Sequence, residues 1–328
     1  MIERIGVIGG GAWGTALAQV AAAKGHETLL WAREPEVVAS INDTHENAVY
    51  LPGRLLSPNV VATQDLSQFD GCDAWLVVTP AQHMRAVLEQ APECGGPLIL
   101  CSKGIEERSG QLLNHVAREV CPSASVMVLS GPTFAHEVAA GMPTALTLAS
   151  EDERLAEHVR ERLAMPEFRI YLSDDVVGAE VGGAVKNVLA IACGVVEGRS
   201  LGQNARAALI ARGFAEMSRF GAALGAKKET LGGLCGLGDL VLTCSSTSSR
   251  NFSLGKGLGE GLSASALMAD RKTVAEGAFT APVLRRLADQ LGIDMPIVAS
   301  VDDLLAGRRS VDEVREGLLS RPPRPETH

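Results

Sequence analysis

The chain has 328 residues, more than one ordinary core needs, and suits two domains that each bury a sizeable core. Its formal net charge of −9 disfavours a nucleic-acid binder, which carries a broad basic face, and requires any anionic ligand to find a local pocket of lysine and arginine. Aromatic residues make up only 4% while glycine numbers 35, so aliphatic, closely packed cores with many tight turns are expected.

A short β-type run, Arg4 to Ile8, leads at once into Gly9-Gly10-Gly11-Ala12-Trp13-Gly14 and then a helical stretch, Thr15 to Lys24. GxGxxG between a strand and a helix is the dinucleotide-binding context. Gly9 permits the tight turn, Gly11 lets backbone approach a pyrophosphate, and Gly14 lets helix and strand pack closely; the helix N-terminus then faces the phosphates. A glycine-rich turn without a ligand is the plainer alternative. The second strand, Thr28 to Trp31, ends in Ala32-Arg33-Glu34. An acid here suits the ribose of NAD, and an arginine accepts the 2′-phosphate of NADP. Arg33 therefore favours NADPH, with Glu34 leaving NAD open; a solvated surface arginine is the competing reading.

Glu36 to Asn42 reads as helix and Gly53 to Asn59 as a Pro/Gly loop. Further strands are predicted at Val60 to Ala62, Ala74 to Val78, Leu98 to Cys101, Val126 to Leu129, Thr144 to Leu148 and Arg169 to Leu172. Helical composition recurs between them, at Gln82 to Gln90, Gln111 to Val120 and Arg154 to Leu163. This alternation predicts an α/β doubly wound, Rossmann-type and mostly parallel sheet covered on both faces, with ligands beyond the carboxyl ends of its strands. Polar turns fall at those ends: Thr79-Pro80, Ser102-Lys103-Gly104 and Ser130-Gly131-Pro132-Thr133. Lys103 is thus placed to meet an anion or a reacting oxygen, although an exposed loop is the commoner fate of a lysine.

After about Asp175 the strand pattern stops, and an all-α domain is predicted. Its helices are Val176 to Val195, Ala205 to Leu224, Gly236 to Leu242, Thr280 to Leu291, Val298 to Leu305, and Val311 to Leu319 with Ser310 and Glu313 spaced as a capping box. The expected division is residues 1–175, residues 176–320, and a proline-containing tail, 321–328, expected to be disordered. The first helix places Lys186 among small and apolar neighbours, Gly182, Gly183, Leu189 and Ala190, with no opposite charge three or four positions away. A core lysine that snorkels to water is one reading. The other keeps the ammonium for a ligand, with burial lowering its pKa toward the range useful for proton transfer. Asn187 adds a neutral hydrogen-bonding group beside it.

Further on, Gly236-Leu237-Gly238-Asp239 is followed by a hydroxyl-rich run ending in Ser249-Arg250-Asn251. As a flexible loop the run needs no ligand; before a short helical stretch it supplies an arginine, an amide and backbone N–H groups to a phosphate. Asp239 is the natural carboxylate partner for a catalytic lysine. Seven scattered cysteines without a CxxC pair fit a reducing compartment, with no disulfide framework and no zinc site. No basic leader with a long apolar core opens the chain, and Glu180, Lys186 and four glycines interrupt the most apolar run, Val176 to Val196. The expectation is a cytoplasmic protein with no membrane span.

Gly9 to Gly14, Ser102 to Glu106, Leu129 to Thr133, Val185-Lys186-Asn187, Gly236 to Asp239, Ser249-Arg250-Asn251 and Val274-Ala275-Glu276-Gly277 occur here in one order. Together they resemble the bacterial NAD(P)-dependent sn-glycerol-3-phosphate dehydrogenases from Met1 to about Leu319. The later motifs are far more specific than the glycine loop. The resemblance implies a Rossmann domain followed by an all-helical domain, a homodimer, and interconversion of dihydroxyacetone phosphate with glycerol 3-phosphate for phospholipid synthesis.

It further implies Lys186 as proton donor and acceptor at the C2 oxygen, with Lys103 and Asp239 beside it. Gly131, Thr133, Asn187, Ser249, Arg250 and Asn251 would contact the substrate with them. Trp13, Arg33, Lys103, Ala135, Arg250, Val274 and Glu276 would line NADP or NAD beside the glycine loop. Ala12 departs from the serine that many members carry, which removes a side-chain hydrogen bond to phosphate but keeps the backbone N–H.

The chemistry of the residues agrees. A ketone oxygen gains negative charge as hydride arrives, so a nearby ammonium stabilises the transition state and then protonates the alkoxide. Arg250 would hold a remote phosphate and so orient the carbonyl. A related hydroxyacid dehydrogenase or ketopantoate-type reductase is the alternative enzyme; its substrates carry a carboxylate rather than a phosphate, and the Ser249-Arg250-Asn251 run disfavours it. A nicotinamide-binding sensor without turnover would have no reason to keep Lys186, Lys103 and Asp239. His136, beside Glu137, reads as a structural or surface residue rather than the acid.

Overall fold

The computed structural model of the protein describes residues 2–269 and 275–322. Short apolar runs such as IGVI, AWLV and PLIL are buried along their whole length, as befits strands covered on both faces. The strands are β1 (Ile5–Ile8), β2 (Thr28–Trp31), β3 (Glu46–Asn47), β4 (Leu51–Leu55), β5 (Val60–Thr63), β6 (Ala74–Val77), β7 (Pro97–Leu100), β8 (Ser125–Ser130), β9 (Thr144–Ala149) and β10 (Phe168–Ser173). All but β3 and β4 join one sheet in the order β10-β9-β8-β7-β6-β1-β2-β5. Every pairing in it is parallel except β8 with β9. The chain reverses direction across the sheet between β1 and β6, and the crevice at such a switch point is where a dinucleotide lies.

Helices α1 (Ala12–Ala22), α2 (Pro35–Thr44), α3 (Met84–Leu88), α4 (Leu113–Val120), α5 (Ala135–Ala139) and α6 (Glu153–Leu163) accompany the sheet. Helices α7 (Val176–Gly198), α8 (Gln203–Ala223), α9 (Lys228–Leu231), α10 (Asp239–Thr243), α11 (Arg250–Gly259), α12 (Ala264–Leu267), α13 (Glu276–Gln290), α14 (Pro296–Leu305) and α15 (Val311–Leu319) follow without a further strand among the described residues. The eight strands expected from the sequence all form, and Ser310 and Glu313 close a reciprocal capping box. Details differ: the helix expected from Thr280 begins at Glu276, and the one expected over Gln82 to Gln90 is a 3-10 turn, Ala81–His83, followed by the short α3. The helix after the glycine turn begins at Ala12 rather than Thr15, which puts Gly14 inside it. Part of the expected 53–59 loop is strand β4, paired antiparallel with β3. The single helix expected over Gly236 to Leu242 is a π-type turn, Leu234–Gly238, followed by α10.

Helix α7 organises the second half. It is long and apolar enough to cross a membrane, yet 94% of its apolar window is buried inside the protein as a core helix. Small residues on both helices let α11 approach closely: a Cβ on Gly194 of α7 would overlap the Phe252 carbonyl oxygen, and one on Gly255 of α11 the Ile191 carbonyl oxygen. Close approach of two backbones brings together polar side chains that ordinary helix spacing would hold apart.

Candidate active site

The loop after β7 and the end of β8 meet the buried α7, where a Cβ on Gly183 would stand 3.3 Å from both Lys103 Cγ and Ser130 Oγ. The loop after β7 carries Lys103, whose Nζ donates to the Gly131 carbonyl oxygen at 3.3 Å in the turn after β8. Thr133 Oγ1 donates to the same carbonyl at 3.4 Å. Across the cleft, the π-type turn delivers Asp239 to the start of α10, where it is fully buried. Lys186 Nζ donates to Asp239 Oδ1 at 2.5 Å, and Lys103 Nζ to Asp239 Oδ2 at 2.6 Å. Thr243, one helical turn after Asp239, accepts from Lys186 Nζ at 3.0 Å and donates to Asp239 Oδ1 at 3.3 Å.

One buried carboxylate is thus shared by the amino groups of two lysines. Burial pushes the Lys186 pKa down to about 7; the like charge of Lys103 adds to the depression, while Asp239 opposes it. An ammonium tuned in this way exchanges a proton readily near neutral pH. Sequence reasoning missed Thr243. The available signal was its spacing, four residues after Asp239, which puts both on one helical face.

The second group of expected residues lies where α11 meets α7 and α13. Ser249 caps α11 by accepting the Phe252 N–H at 3.3 Å, so its own hydroxyl proton is free for a ligand. Asn251 Nδ2 donates to Asn187 Oδ1 at 3.0 Å, and Asn251 Oδ1 accepts the Gly277 N–H at 2.9 Å. This ladder locks α7, α11 and the start of α13 together beside Lys186. Arg250 is solvent-reached but surrounded by enough protein that desolvation lowers its pKa, with Glu276 opposing. The carboxyl of Glu276 is raised to about 7 by burial, against the pull of Arg250 and of the Ala81 N–H. One of its oxygens is buried without a hydrogen-bond partner.

The glycine turn fits a dinucleotide. A Cβ on Gly14 would overlap the Gly9 carbonyl oxygen, while the same atom on Gly11 would meet nothing within 4 Å. Helix α1 has no side-chain cap and no acid in its first turn, so its N-terminal N–H groups are left for an anion. Ala12 and Trp13 form that first turn, and the buried Trp13 indole nitrogen has no partner. Arg33 stands at the end of β2, largely exposed, with its guanidinium on Glu34 Oε1 at 3.0 Å. Ala135 begins α5, which packs on α1. Val274 lies outside the described residues. His136 is exposed and stacks on Phe134, apart from the lysine cluster.

The chain is similar to known proteins along nearly its whole length. Residues 4–156 match the family described as NAD-dependent glycerol-3-phosphate dehydrogenase N-terminus, and residues 175–316 match its C-terminus. A glycerol-3-phosphate dehydrogenase (NAD(P)+) of Erythrobacter litoralis is 63% identical over 326 residues, 99% of this chain and 98% of its own. One from Novosphingobium aromaticivorans is 62% identical over 98% of each chain. A crystal structure of glycerol-3-phosphate dehydrogenase from Coxiella burnetii superposes with a TM-score of 0.93 at 37% identity, covering 98% of this chain and 99% of that one.

Proposed function

We propose a catalytic assignment for a chain that belongs to the NAD-dependent glycerol-3-phosphate dehydrogenase family: Lys186 exchanges the proton at the substrate's C2 oxygen while Asp239 and Lys103 hold and tune it. The activity is that of an NAD(P)-dependent glycerol-3-phosphate dehydrogenase. The bound nicotinamide supplies or accepts the hydride. In the direction of dihydroxyacetone phosphate reduction, negative charge grows on the C2 oxygen, and the Lys186 ammonium stabilises it and then gives up its proton. Asp239 keeps the ammonium in one orientation, and Lys103 adds a second positive charge facing the same oxygen. Ser249, Arg250 and Asn251 bind the substrate phosphate at the N-terminus of α11, so that binding energy remote from the reacting carbon orients the carbonyl. Gly131, Thr133 and Asn187 line the space between.

The observation that carries this assignment is the buried carboxylate shared by two lysines, with the Lys186 pKa brought down toward neutrality. The glycine turn, Trp13, Arg33, Ala135 and Glu276 line the cofactor in the same reading. Residues 1–175 form the cofactor domain and 176–320 the substrate domain of a cytoplasmic homodimer that supplies phospholipid synthesis. Seven free cysteines are in keeping with a reducing compartment.

The test is oxidation of NADPH and of NADH by the purified protein, with dihydroxyacetone phosphate beside unphosphorylated dihydroxyacetone. Rapid oxidation only with the phosphorylated ketone supports the assignment, and a lower KM for NADPH than for NADH supports Arg33 as the 2′-phosphate contact. Equal use of both ketones removes the phosphate role from Arg250.

A further inference from the structure

The β3–β4 hairpin buries an asparagine beneath the glycine turn, and nothing derived above uses it. Asn47 has no solvent exposure. Its amide nitrogen donates to the Gly10 carbonyl oxygen at 2.8 Å and to Thr15 Oγ1 at 2.7 Å, and its amide oxygen accepts the Tyr50 N–H at 3.0 Å. Both amide protons and one lone pair are in use, so the side chain is fixed in one orientation. Gly10 is flanked by glycines in the turn from β1 to α1, the part of the backbone with least conformational restraint of its own. A trans peptide is planar, so pinning the Gly10 carbonyl inward turns the Gly11 N–H the opposite way. Around Gly11 the structure is open.

We propose that Asn47 is a positioning residue for the dinucleotide, holding the Gly10–Gly11 peptide so that the Gly11 N–H faces the pyrophosphate. The hairpin, inserted between α2 and β5, is then part of the cofactor site. A second contact points the same way: the Tyr50 hydroxyl lies 3.5 Å from Glu34 Oε1, the oxygen that pairs with Arg33 at the end of β2. One hairpin therefore touches both the turn that meets the pyrophosphate and the strand end that meets the ribose. The inference rests on reading Gly9 to Gly14 as the pyrophosphate turn. Without its anchor the turn samples several conformations, and apparent affinity falls by the fraction that remains competent.

The test uses the full-length chain with Asn47→Ala and Asn47→Asp, titrated with NADPH and with NADH by nicotinamide fluorescence. The aspartate keeps the size and the acceptor for Tyr50 N–H, but its ionised form cannot donate to the Gly10 carbonyl. Dissociation constants should rise on the order of tenfold for both cofactors alike, because the pyrophosphate is common to them. Turnover at saturating cofactor and the KM for the phosphorylated substrate should stay within about twofold of wild type. If neither variant folds, Thr15→Val removes one partner of the amide together with the threonine hydroxyl's own 3.5 Å hydrogen bond to the Gly10 carbonyl oxygen, and should show the same loss at smaller size, about threefold. Folded variants that melt earlier yet bind both cofactors as wild type does would make Asn47 a purely structural residue and overturn the proposal. A wild-type protein that binds neither cofactor overturns instead the reading of the glycine turn.

Discussion

The Asp239 carboxylate, fully out of solvent, stands 2.5 Å from Lys186 Nζ although 53 residues separate the two in the chain. Its second oxygen holds Lys103 from the other half of the molecule. The Lys103–Asp239 contact therefore spans the junction between the sheet and the helical half, and the charge state of the site depends on how the two halves dock.

Lys186→Ala should lower turnover by about 10²–10⁴-fold, the usual worth of a positioned acid or base. Cofactor affinity should be nearly unchanged, since in the proposed role the lysine acts on the substrate oxygen. Asp239 keeps Lys103 as a partner in the variant, so no isolated buried charge is created. Steady-state kinetics beside a cofactor titration read both quantities. Wild-type turnover in the variant would remove Lys186 from the proton-transfer role.

The pH dependence follows from the Lys186 pKa near 7. Ketone reduction needs the ammonium and should weaken as pH rises through about 7; alcohol oxidation needs the free amine and should strengthen over the same range. Asp239 raises the Lys186 pKa, so Asp239→Asn should move the reduction profile to lower pH. Profiles of kcat/KM in both directions check this, and a reduction limb unmoved by the substitution would detach Asp239 from the tuning of Lys186.

Arg250→Ala should chiefly raise the KM for the phosphorylated substrate, by about tenfold or more for a lost charge-assisted contact. Any slow reaction with unphosphorylated dihydroxyacetone should change little. Arg250→Lys keeps the charge but loses the fork geometry, and should fall between the two. A uniform loss with both ketones would point to damage at the cofactor instead.

Glu180 on α7 accepts the Asn114 N–H at 2.9 Å, and burial pushes its carboxyl up to about 8, against Arg118 and the backbone donors of Leu113 and Asn114. Its folded pKa lies above its ordinary value of 4.5, so between the two the folded chain holds a proton that the unfolded chain releases. That contribution to stability is present below about 4.5 and is lost as pH rises toward 8. Glu180→Gln keeps an acceptor without the charge, and its melting temperature relative to wild type should climb by a few degrees from pH 5 to pH 8. A constant difference across that range would mean the carboxyl is not protonated in the fold.

Local patterns were enough for much of the architecture. Alternating strand and helix segments named the eight sheet strands and the long helices, because burial imposes a period on the chain that does not depend on the partner element. The glycine turn, the lysine in an apolar helix and the run ending in Arg250-Asn251 were visible for the same reason: each breaks its local pattern. Strand β4 was not visible, since Pro52 and Gly53 within LPGRL carry the composition of a loop, and only pairing with β3 makes it a strand. Nor could any local pattern set the antiparallel direction of β9 beside β8, which is a property of the pair.

Whether Lys186 reaches water or is held for chemistry was likewise left open by its own helix. Tertiary structure answers the first half of that question: α7 is wrapped on all sides, Lys186 is 6% exposed, and its Nζ meets Asp239 and Thr243 from α10 rather than water. Asn47 makes the same point in the sheet half, as an asparagine in a stretch to which the sequence assigns no element and whose amide pins Gly10, thirty-seven residues away. Residue types and spacing determined which elements form and which side chains are chemically able to act. Packing alone determined which of them meet, because hydrogen bonds and ion pairs depend on distances between faces that the chain brings together only when both halves are folded.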